Sequence, residues 1–404
     1  MISVDLARQT ILGHIRTLPG ELVPLTATLG RYLSEDIVAG FAIPLWDNSA
    51  MDGYAVRLSD IAAIPARLPV SQVIPAGSTP RPLEPGSAAR IMTGAPIPEG
   101  AEAVVMREDT DELGERVEIK RAPKKDENIR FKGEDISLGS VVLKRGTLIG
   151  PSQIGLLASL RLAQVPCTKR PVIAVLSTGD EVVDLDQPLT PGKIPSSNSY
   201  TLVSLVKELG AVPLYVGIAR DNRADIESKL AAAAKADLIL TSGGVSVGDF
   251  DLIKDVMTSK DNRMEFWQVA MKPGKPLAFG FTGTVPTIGL PGNPASAMVS
   301  FYQFARPAIL TLLGASIPHL PSLKARLTIP IIKKGDRPHY IRGLLTGGEE
   351  LRVQASGAQG SGILSSMAAA NCFIVIPKEK ELVQAGELVD CEVFGSIEPE
   401  DVSS

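Results

Sequence analysis

Hydrophobic residues between 171 and 314 fall in two alternating textures. PVIAVL (171–176), VPLYVGI (212–218), LIL (238–240) and VPTIGL (285–290) are apolar runs, the pattern of strands buried on both faces. Between the first two, Leu202, Leu205, Val206 and Leu209 recur at helical spacing before Gly210, with Asn198 or Ser199 as the cap. A second helical pattern covers 222–236, with Ile226, Leu230 and Ala233 or Ala234 inward, and an apolar stretch from 295 to 313 closes the region. Strand and helix therefore alternate. That predicts a parallel, doubly wound α/β sheet, because parallel strands need crossover connections and helices usually provide them.

The flanking regions have another texture. Before 171, short apolar runs are cut by Pro75-Ala76-Gly77, Pro85-Gly86 and Pro96-Ile97-Pro98, which predicts a β-rich domain. The charged stretch 108–135 reads as exposed hairpin and loop, 140–149 as a strand pair, and 151–162 as a helix leading into the α/β region. After Pro318, strands are predicted at 324–332, 340–345, 351–354, 371–377 and 388–393, enough for a small β-barrel or sandwich.

In an open α/β sheet, ligands sit outside the carboxyl ends of the strands. The unusual loops that follow the strands of the α/β region are predicted there, while two others, at 47–56 and 271–276, stand apart from it. The plainest is SGGVSVGDFD (242–251), where Gly243, Gly244 and Gly248 let the backbone turn and approach a bound group. Amides at the start of a following helix favour an anion, yet Asp249 and Asp251 stand beside them. The two tendencies agree if a hard cation such as Mg²⁺ bridges carboxylates and phosphate, so a phosphorylated ligand with a metal is expected. STGDE (177–181) repeats the pattern, and Glu181, Asp221, Asp249 and Asp251 could converge on one rim. The chain contains no GxxxxGK[ST], and SGGVSVG is not GxGxxG, so it is neither a Walker-type phosphate loop nor a dinucleotide fingerprint. MKPGKP (271–276) holds Lys272 and Lys275 on a stiff frame suited to an oxyanion, and DNSAMDGYAV (47–56) reads as a polar turn.

Length and composition add bounds rather than chemistry. At 404 residues the chain has room for two to four domains, and 44% apolar with 21% charged residues is a globular balance. A net charge of -4 offers no general attraction to nucleic acid or an anionic membrane. Cys167, Cys372 and Cys391 form no CxxC, which argues against structural zinc and a disulfide framework. The start, MISVDLARQT, has no leader pattern, and no stretch reaches a membrane span, so a cytoplasmic location is expected.

Taken in order, NSAMDGYAV (48–56), MTGAPIPEGAEAVVMRED (92–109), GEDI (133–136), STGDEV (177–182), SNSYTL (197–202), SGGVSVGDFD (242–251), MKPGKP (271–276), GLPGNPASA (289–297) and AQGSGILSSMAAANCFIVIP (358–377) resemble the MoeA family over essentially the full chain. That family comprises molybdopterin molybdenumtransferases and includes the E domain of gephyrin. The resemblance implies insertion of molybdate into adenylylated molybdopterin, with Mg²⁺-dependent release of AMP. It also implies a homodimer, with a MogA-like adenylyltransferase and molybdopterin synthase as partners in the same biosynthesis.

The implied architecture is α/β plus β in four parts. A segmented domain would take 1–22, 41–50 and 137–170, and a β-rich domain 23–40 and 51–136. A MogA-like α/β domain would take 171–317 and a C-terminal β-barrel 318–404. By motif position, Glu181, Asp221 and Asp251 are the implied metal and ligand acids. Asp52 and Thr93 are catalytic groups brought by the partner subunit, joined by Asp135. Ser242, Gly243, Gly244, Ser246, Gly248 and Asp249 would cradle the substrate. Lys272, Lys275, Arg342, Ser365 and Ser366 match basic and hydroxyl positions for molybdate or phosphate, while Pro291 and Pro294 shape a loop. Gln268 stands where related proteins commonly carry Lys or Arg, which leaves a tungstate-inserting paralogue as an alternative beside a non-enzymatic scaffold of the same fold. A MogA-like adenylyltransferase or CinA-like pyrophosphatase would share the α/β region but would not account for DNSAMDGYAV or the C-terminal barrel.

Overall fold

A computed structural model of the chain describes residues 1–245, 258 and 262–399. Two compact units emerge: Met1–Glu35, Arg145–Ile154 and Ala163–Ser404 form one, and Asp36–Lys144 with Gly155–Leu162 forms the other.

The centre of the first unit is a six-stranded sheet. Its order is Val212–Ala219, Val172–Thr178, Leu238–Ser242, Val285–Leu290, Pro276–Thr282, Asn262–Gln268. The first four strands are parallel, joined through helices Ser197–Glu208 and Arg223–Ala232. Side chains alternate across it as strand geometry requires. Ile173, Val175, Leu238 and Leu240 face a core shared with Leu202, Leu205 and Val206 of one helix and with Ala7 and Ile11 of the N-terminal helix Val4–His14. Ala174, Leu176 and Ile239 face the opposite core, against Ile226, Leu230 and Ala233. Both faces are covered, which is why these strands are nearly uninterrupted in their hydrophobicity.

The expectation of a wholly parallel sheet needs one correction. Pro276–Thr282 and Val285–Leu290 run antiparallel, and Asn262–Gln268 adds a further antiparallel strand at the edge. Only Gly283 and Thr284 separate the first two, and Gly283 has φ +59. A two-residue connection can make a hairpin but not a crossover.

The helix predicted over 222–236 runs Arg223–Ala232, with Ala233 rather than Ala234 buried. Asn222 caps it by accepting the Asp225 N–H at 2.9 Å. Asn222→Ala is expected to lower stability by about 1 kcal/mol, read from chemical unfolding midpoints at unchanged slope.

After Pro318, strands Ser322–Leu327, His339–Gly347, Arg352–Ala355, Cys372–Ile376 and Leu388–Val393 pair all the way round. The predicted barrel is therefore closed, with Ala325, Leu345, Val353, Ile374 and Cys391 in its core. Cys167, Cys372 and Cys391 are free and buried, small hydrophobes as their spacing suggested.

The second unit is β-rich, as its proline-broken runs predicted. Its sheet order is Ala103–Met106, Gly53–Val56, Ala88–Ile91, Ala66–Ile74, Arg116–Ile119, Thr110–Leu113, the last two being the charged hairpin. Tyr54, Val105, Val117 and Ile119 fill one side, and Ala55, Ile91 and Val104 the other. Among the described residues no helix is long and apolar enough to cross a membrane.

Candidate functional site

The chain enters the parallel sheet at Val172–Thr178, moves outward to Val212–Ala219, then crosses back to Leu238–Ser242 on the other side. This reversal leaves a crevice at the carboxyl ends of the first and third of these strands, since the helices leave them in opposite directions. A cavity of about 540 Å³ occurs there, lined by the strand ends at Ser177, Thr178 and Ser242 and by the loops beyond them. Gly243 has φ +91, and a Cβ on it would come within 2.9 Å of the Thr178 carbonyl oxygen, so the cradle requires glycine.

Among the described residues, two acids line this cavity, Glu181 and Asp221. Asp221 is braced by Asp180: the Asp180 N–H donates to Asp221 Oδ2 at 3.1 Å, and the Asp221 N–H donates to Asp180 Oδ1 at 3.2 Å. Their hard oxygens fit Mg²⁺, which takes one or two carboxylates and completes its shell with ligand phosphate and water. Among the described residues no three His, Cys, Asp or Glu side chains converge to hold an ion by themselves. Asp251, the third implied ligand, lies outside the described residues, as do Ser246, Gly248 and Asp249. Thr178 Oγ1 is buried at the cavity without a hydrogen-bond partner among the described residues, an acceptor and donor left for a ligand.

Asn198 corrects the sequence reading. It does not cap its helix; Ser196 occupies that position, without a side-chain cap bond. Instead Asn198 Nδ2 donates to Ser242 Oγ and to the Gly292 carbonyl, both at 2.8 Å, tying three loops together. The sequence signal was there in the polar run Ser196 to Ser199, all four of them at a helix start beside a predicted rim.

A second cavity of about 490 Å³ lies where the barrel meets MKPGKP, lined by Lys272, Lys334, His339, Arg342 and Gln359 among others. A parallel bridge between Lys272 and His339 brings the two sequence regions together. Arg342 is fully buried. Its Nε donates to Ser366 Oγ at 2.9 Å and its second terminal nitrogen to the carbonyls of Ala358 and Gly360, at 2.8 and 3.1 Å. The remaining guanidinium nitrogen is buried without a partner among the described residues. Burial alone pulls the Arg342 pKa below its ordinary value. A buried cation with an open donor and no paired carboxylate is costly unless an anion completes it. Burial, then Lys272, Lys333 and Arg337, push the His339 imidazole down to about 4, so it is neutral at pH 7.

The two cavities are neighbours in the chain's own wiring. Lys272 and Pro273 line the second and Pro276 the first. The loop that carries Gly360, an Arg342 acceptor, continues to Ser361, which accepts from Asn293 Nδ2 at 3.1 Å at the first. Lys275 lines neither cavity; its carbonyl accepts the Val269 N–H at 3.0 Å. Ser365 is exposed at the start of the short helix Ser365–Ala368, and only its neighbour Ser366 meets Arg342. His339 and Gln359 escaped sequence reasoning because only the barrel's closure brings them to Lys272.

In the second unit, Gly53–Val56 pairs antiparallel with Ala88–Ile91, placing Asp52, just before one strand, beside Thr93, just after the other. Thr93 donates both its backbone N–H (2.7 Å) and its hydroxyl (2.8 Å) to Asp52 Oδ1. The Thr93 backbone bond, followed by the hydroxyl, holds the Asp52 carboxyl below its usual pKa, and among the described residues both bonds fall on Oδ1 rather than Oδ2. Gly53 is obligatory, because a Cβ would fall 1.9 Å from the Val105 carbonyl oxygen. Asp135 sits on the strip paired along 43–49, with its N–H on the Ile43 carbonyl; no bond joins its side chain to Asp52 among the described residues.

Comparison with known proteins matches three consecutive regions of the chain to one family. Residues 2–160 match the family described as MoeA N-terminal region (domain I and II). Residues 174–311 match the probable molybdopterin binding domain, and 324–394 the MoeA C-terminal region (domain IV). A molybdopterin molybdenumtransferase of Haemophilus influenzae is 40% identical, covering 98% of this chain and 100% of that protein. One from Nostoc sp. is also 40% identical, over 91% and 87% respectively. The crystal structure of the molybdopterin biosynthesis moeA protein from Pyrococcus horikoshii OT3 superposes with a TM-score of 0.85 at 31% identity, covering 98% of this chain and 100% of that one.

Proposed function

Because the chain belongs to the MoeA family, a family of transferases of molybdenum cofactor biosynthesis, we propose that it inserts molybdate into adenylylated molybdopterin with Mg²⁺-dependent release of AMP. The observation that carries this reading is the pairing of a cavity rich in hydroxyls and carboxylates with a cationic one around the half-satisfied Arg342. The first suits an organic phosphorylated ligand. The second suits a tetrahedral oxyanion, with the planar guanidinium fork giving direction and Lys272 giving charge.

Glu181, Asp221 and Asp251 would hold Mg²⁺, which when bound offsets the charge that builds as a phosphoanhydride breaks. The protein's own groups do the rest. Arg342 and Lys272 hold the oxyanion, Ser366 fixes the Arg342 fork, and Asp180 fixes Asp221. No side chain of the protein needs to be covalently modified, since the groups that react all belong to the two substrates. Family membership also supports a cytoplasmic homodimer. In it the Asp52–Thr93 pair of one protomer would complete the cavity of the other, and a MogA-like adenylyltransferase would supply the substrate.

The test is AMP release from the purified protein given adenylylated molybdopterin and Mg²⁺, with molybdate, with tungstate and with neither. Stimulation by molybdate is the expected result. Stimulation by tungstate alone would reassign the metal, in keeping with the charge missing at Gln268, and no release under any condition would overturn the insertase reading.

A further inference from the structure

The basic residues around the second cavity divide into those the fold holds and those it leaves open. The chain leaves the barrel at strand Ile331–Ile332, which pairs with Leu382–Val383, turns through Gly335 at φ +98, and returns at His339. The turn carries Lys333, Lys334 and Arg337.

Lys333 and Arg337 pin the turn. Lys333 is buried, and its ammonium donates to the carbonyls of Gly335 at 2.6 Å, Lys378 at 3.0 Å and Arg337 at 3.3 Å. An ammonium has three protons, so this head group is saturated. Arg337 reaches the other way, its Nη1 donating to the Met271 carbonyl at 3.1 Å. Beside it, the Lys272 N–H donates to the Pro338 carbonyl at 3.0 Å and the Lys272 carbonyl accepts the Tyr340 N–H at 2.8 Å. One end of the turn is thereby fastened to the barrel and the other to MKPGKP, without help from Lys334.

Lys334 is exposed and lines the cavity, and its ammonium makes no hydrogen bond or ion pair among the described residues. Asp336, the acid of the same turn, pairs with neither lysine there. With Lys272 and Arg342, Lys334 gives the cavity three cations, and among the described residues no carboxylate lines it. Like charges around one space repel unless an anion sits between them. A tetrahedral dianion presents four oxygens, whereas Arg342 has a single open nitrogen and Lys272 a single ammonium. We propose that Lys334 is a third cationic ligand of the oxyanion, presented by the turn that Lys333 and Arg337 hold in place. The proposal rests on the reading of this cavity as the site of a tetrahedral dianion.

The test is equilibrium titration with molybdate alone, using the wild-type protein, Lys334→Gln, Lys334→Arg, Arg342→Met and Lys324→Gln. Lys324 is the control: it pairs with Asp390 at 2.8 Å on the barrel surface and does not line the cavity, so its loss removes the same formal charge elsewhere. Lys334→Gln should weaken molybdate binding by about 10-fold, the low end for a charge-assisted bond because the side chain is exposed. Lys334→Arg keeps the charge and should stay within about 3-fold of the wild type, and Lys324→Gln within about 2-fold. In stopped-flow measurements the loss should appear as faster dissociation, since a contact retains the ligand whereas a rim charge only steers it. The thermal midpoint without molybdate should not move, because the Lys334 head group bonds to nothing in the described fold.

Wild-type affinity in Lys334→Gln would overturn the proposal. So would a loss carried wholly by the association rate, or one that Lys324→Gln matches, either of which would reduce Lys334 to part of the general field. The underlying reading fails by different results: molybdate binding that Arg342→Met leaves intact would put the anion elsewhere, and no binding by the wild type would remove the oxyanion from this cavity.

Discussion

Arg342→Met is expected to lower the proposed molybdate-dependent AMP release by about 10²–10³-fold while the protein still folds, the loss that follows when a preorganised charged donor is removed from a water-poor site. The reason lies in what surrounds the guanidinium. It is fully buried, its bonds go to Ser366, Ala358 and Gly360, and no carboxylate pairs with it among the described residues. Losing the fork leaves those acceptors unmet, at about 1–3 kcal/mol each where water cannot reach them. Removing an uncompensated buried charge acts in the opposite direction and by a comparable amount. The two largely cancel, so stability should move by less than about 2 kcal/mol while function disappears. Arg342→Lys should recover little activity, since an ammonium restores charge but not the planar fork. Steady-state AMP release, denaturant midpoints and thermal protection by added molybdate make the comparison. Near wild-type turnover in the methionine variant would take Arg342 out of the oxyanion site, and unfolding of that variant would show that the fork's structural bonds outweigh the charge.

How much of this site can be read in the chain depends on which contacts are local. The rim of the parallel sheet is legible because glycines and acids directly follow buried apolar runs, and the sheet's topology then gathers Glu181, Asp221, Ser242 and Gly243 at one crevice. The barrel is legible too, since its strands alternate between turns. Asp52 and Thr93 are different. Their bond depends on strand pairing across 41 positions, and only the motif resemblance singled them out. Arg342 gives no residue-level signal, because one arginine in YIRGLL reads as an outward-facing strand position. It is buried because the loop at 358–360 folds back over it and supplies carbonyls. Asn198 or Ser199 reads as a cap because both residue types favour helix starts; the Asn198 amide instead spans to Ser242 and Gly292, contacts that exist only once three loops have met. The antiparallel edge of the sheet hinged on a two-residue turn at Gly283 and Thr284, which periodicity alone does not weigh.

Asp221→Asn is the second substitution expected to remove activity, and it separates charge from architecture. An asparagine has the same shape, so its carbonyl oxygen can still accept the Asp180 N–H now donated to Asp221 Oδ2, and the return bond to Asp180 Oδ1 comes from the backbone at 221 and is untouched. The brace survives and the charge does not. If Asp221 helps to hold Mg²⁺ at the first cavity, the variant should release AMP about 10²-fold more slowly at ordinary Mg²⁺, with part of that loss recovered as Mg²⁺ is raised, because a neutral amide oxygen is a weaker ligand for a hard dication. Asp180→Asn is the control: its side chain braces Asp221 without lining the cavity, so the Mg²⁺ dependence should shift far less. An Asp221→Asn protein whose loss cannot be relieved by Mg²⁺ at any concentration would assign the carboxylate to substrate rather than metal. One with wild-type turnover would leave Glu181 as the only described acid at this cavity with a claim on the ion.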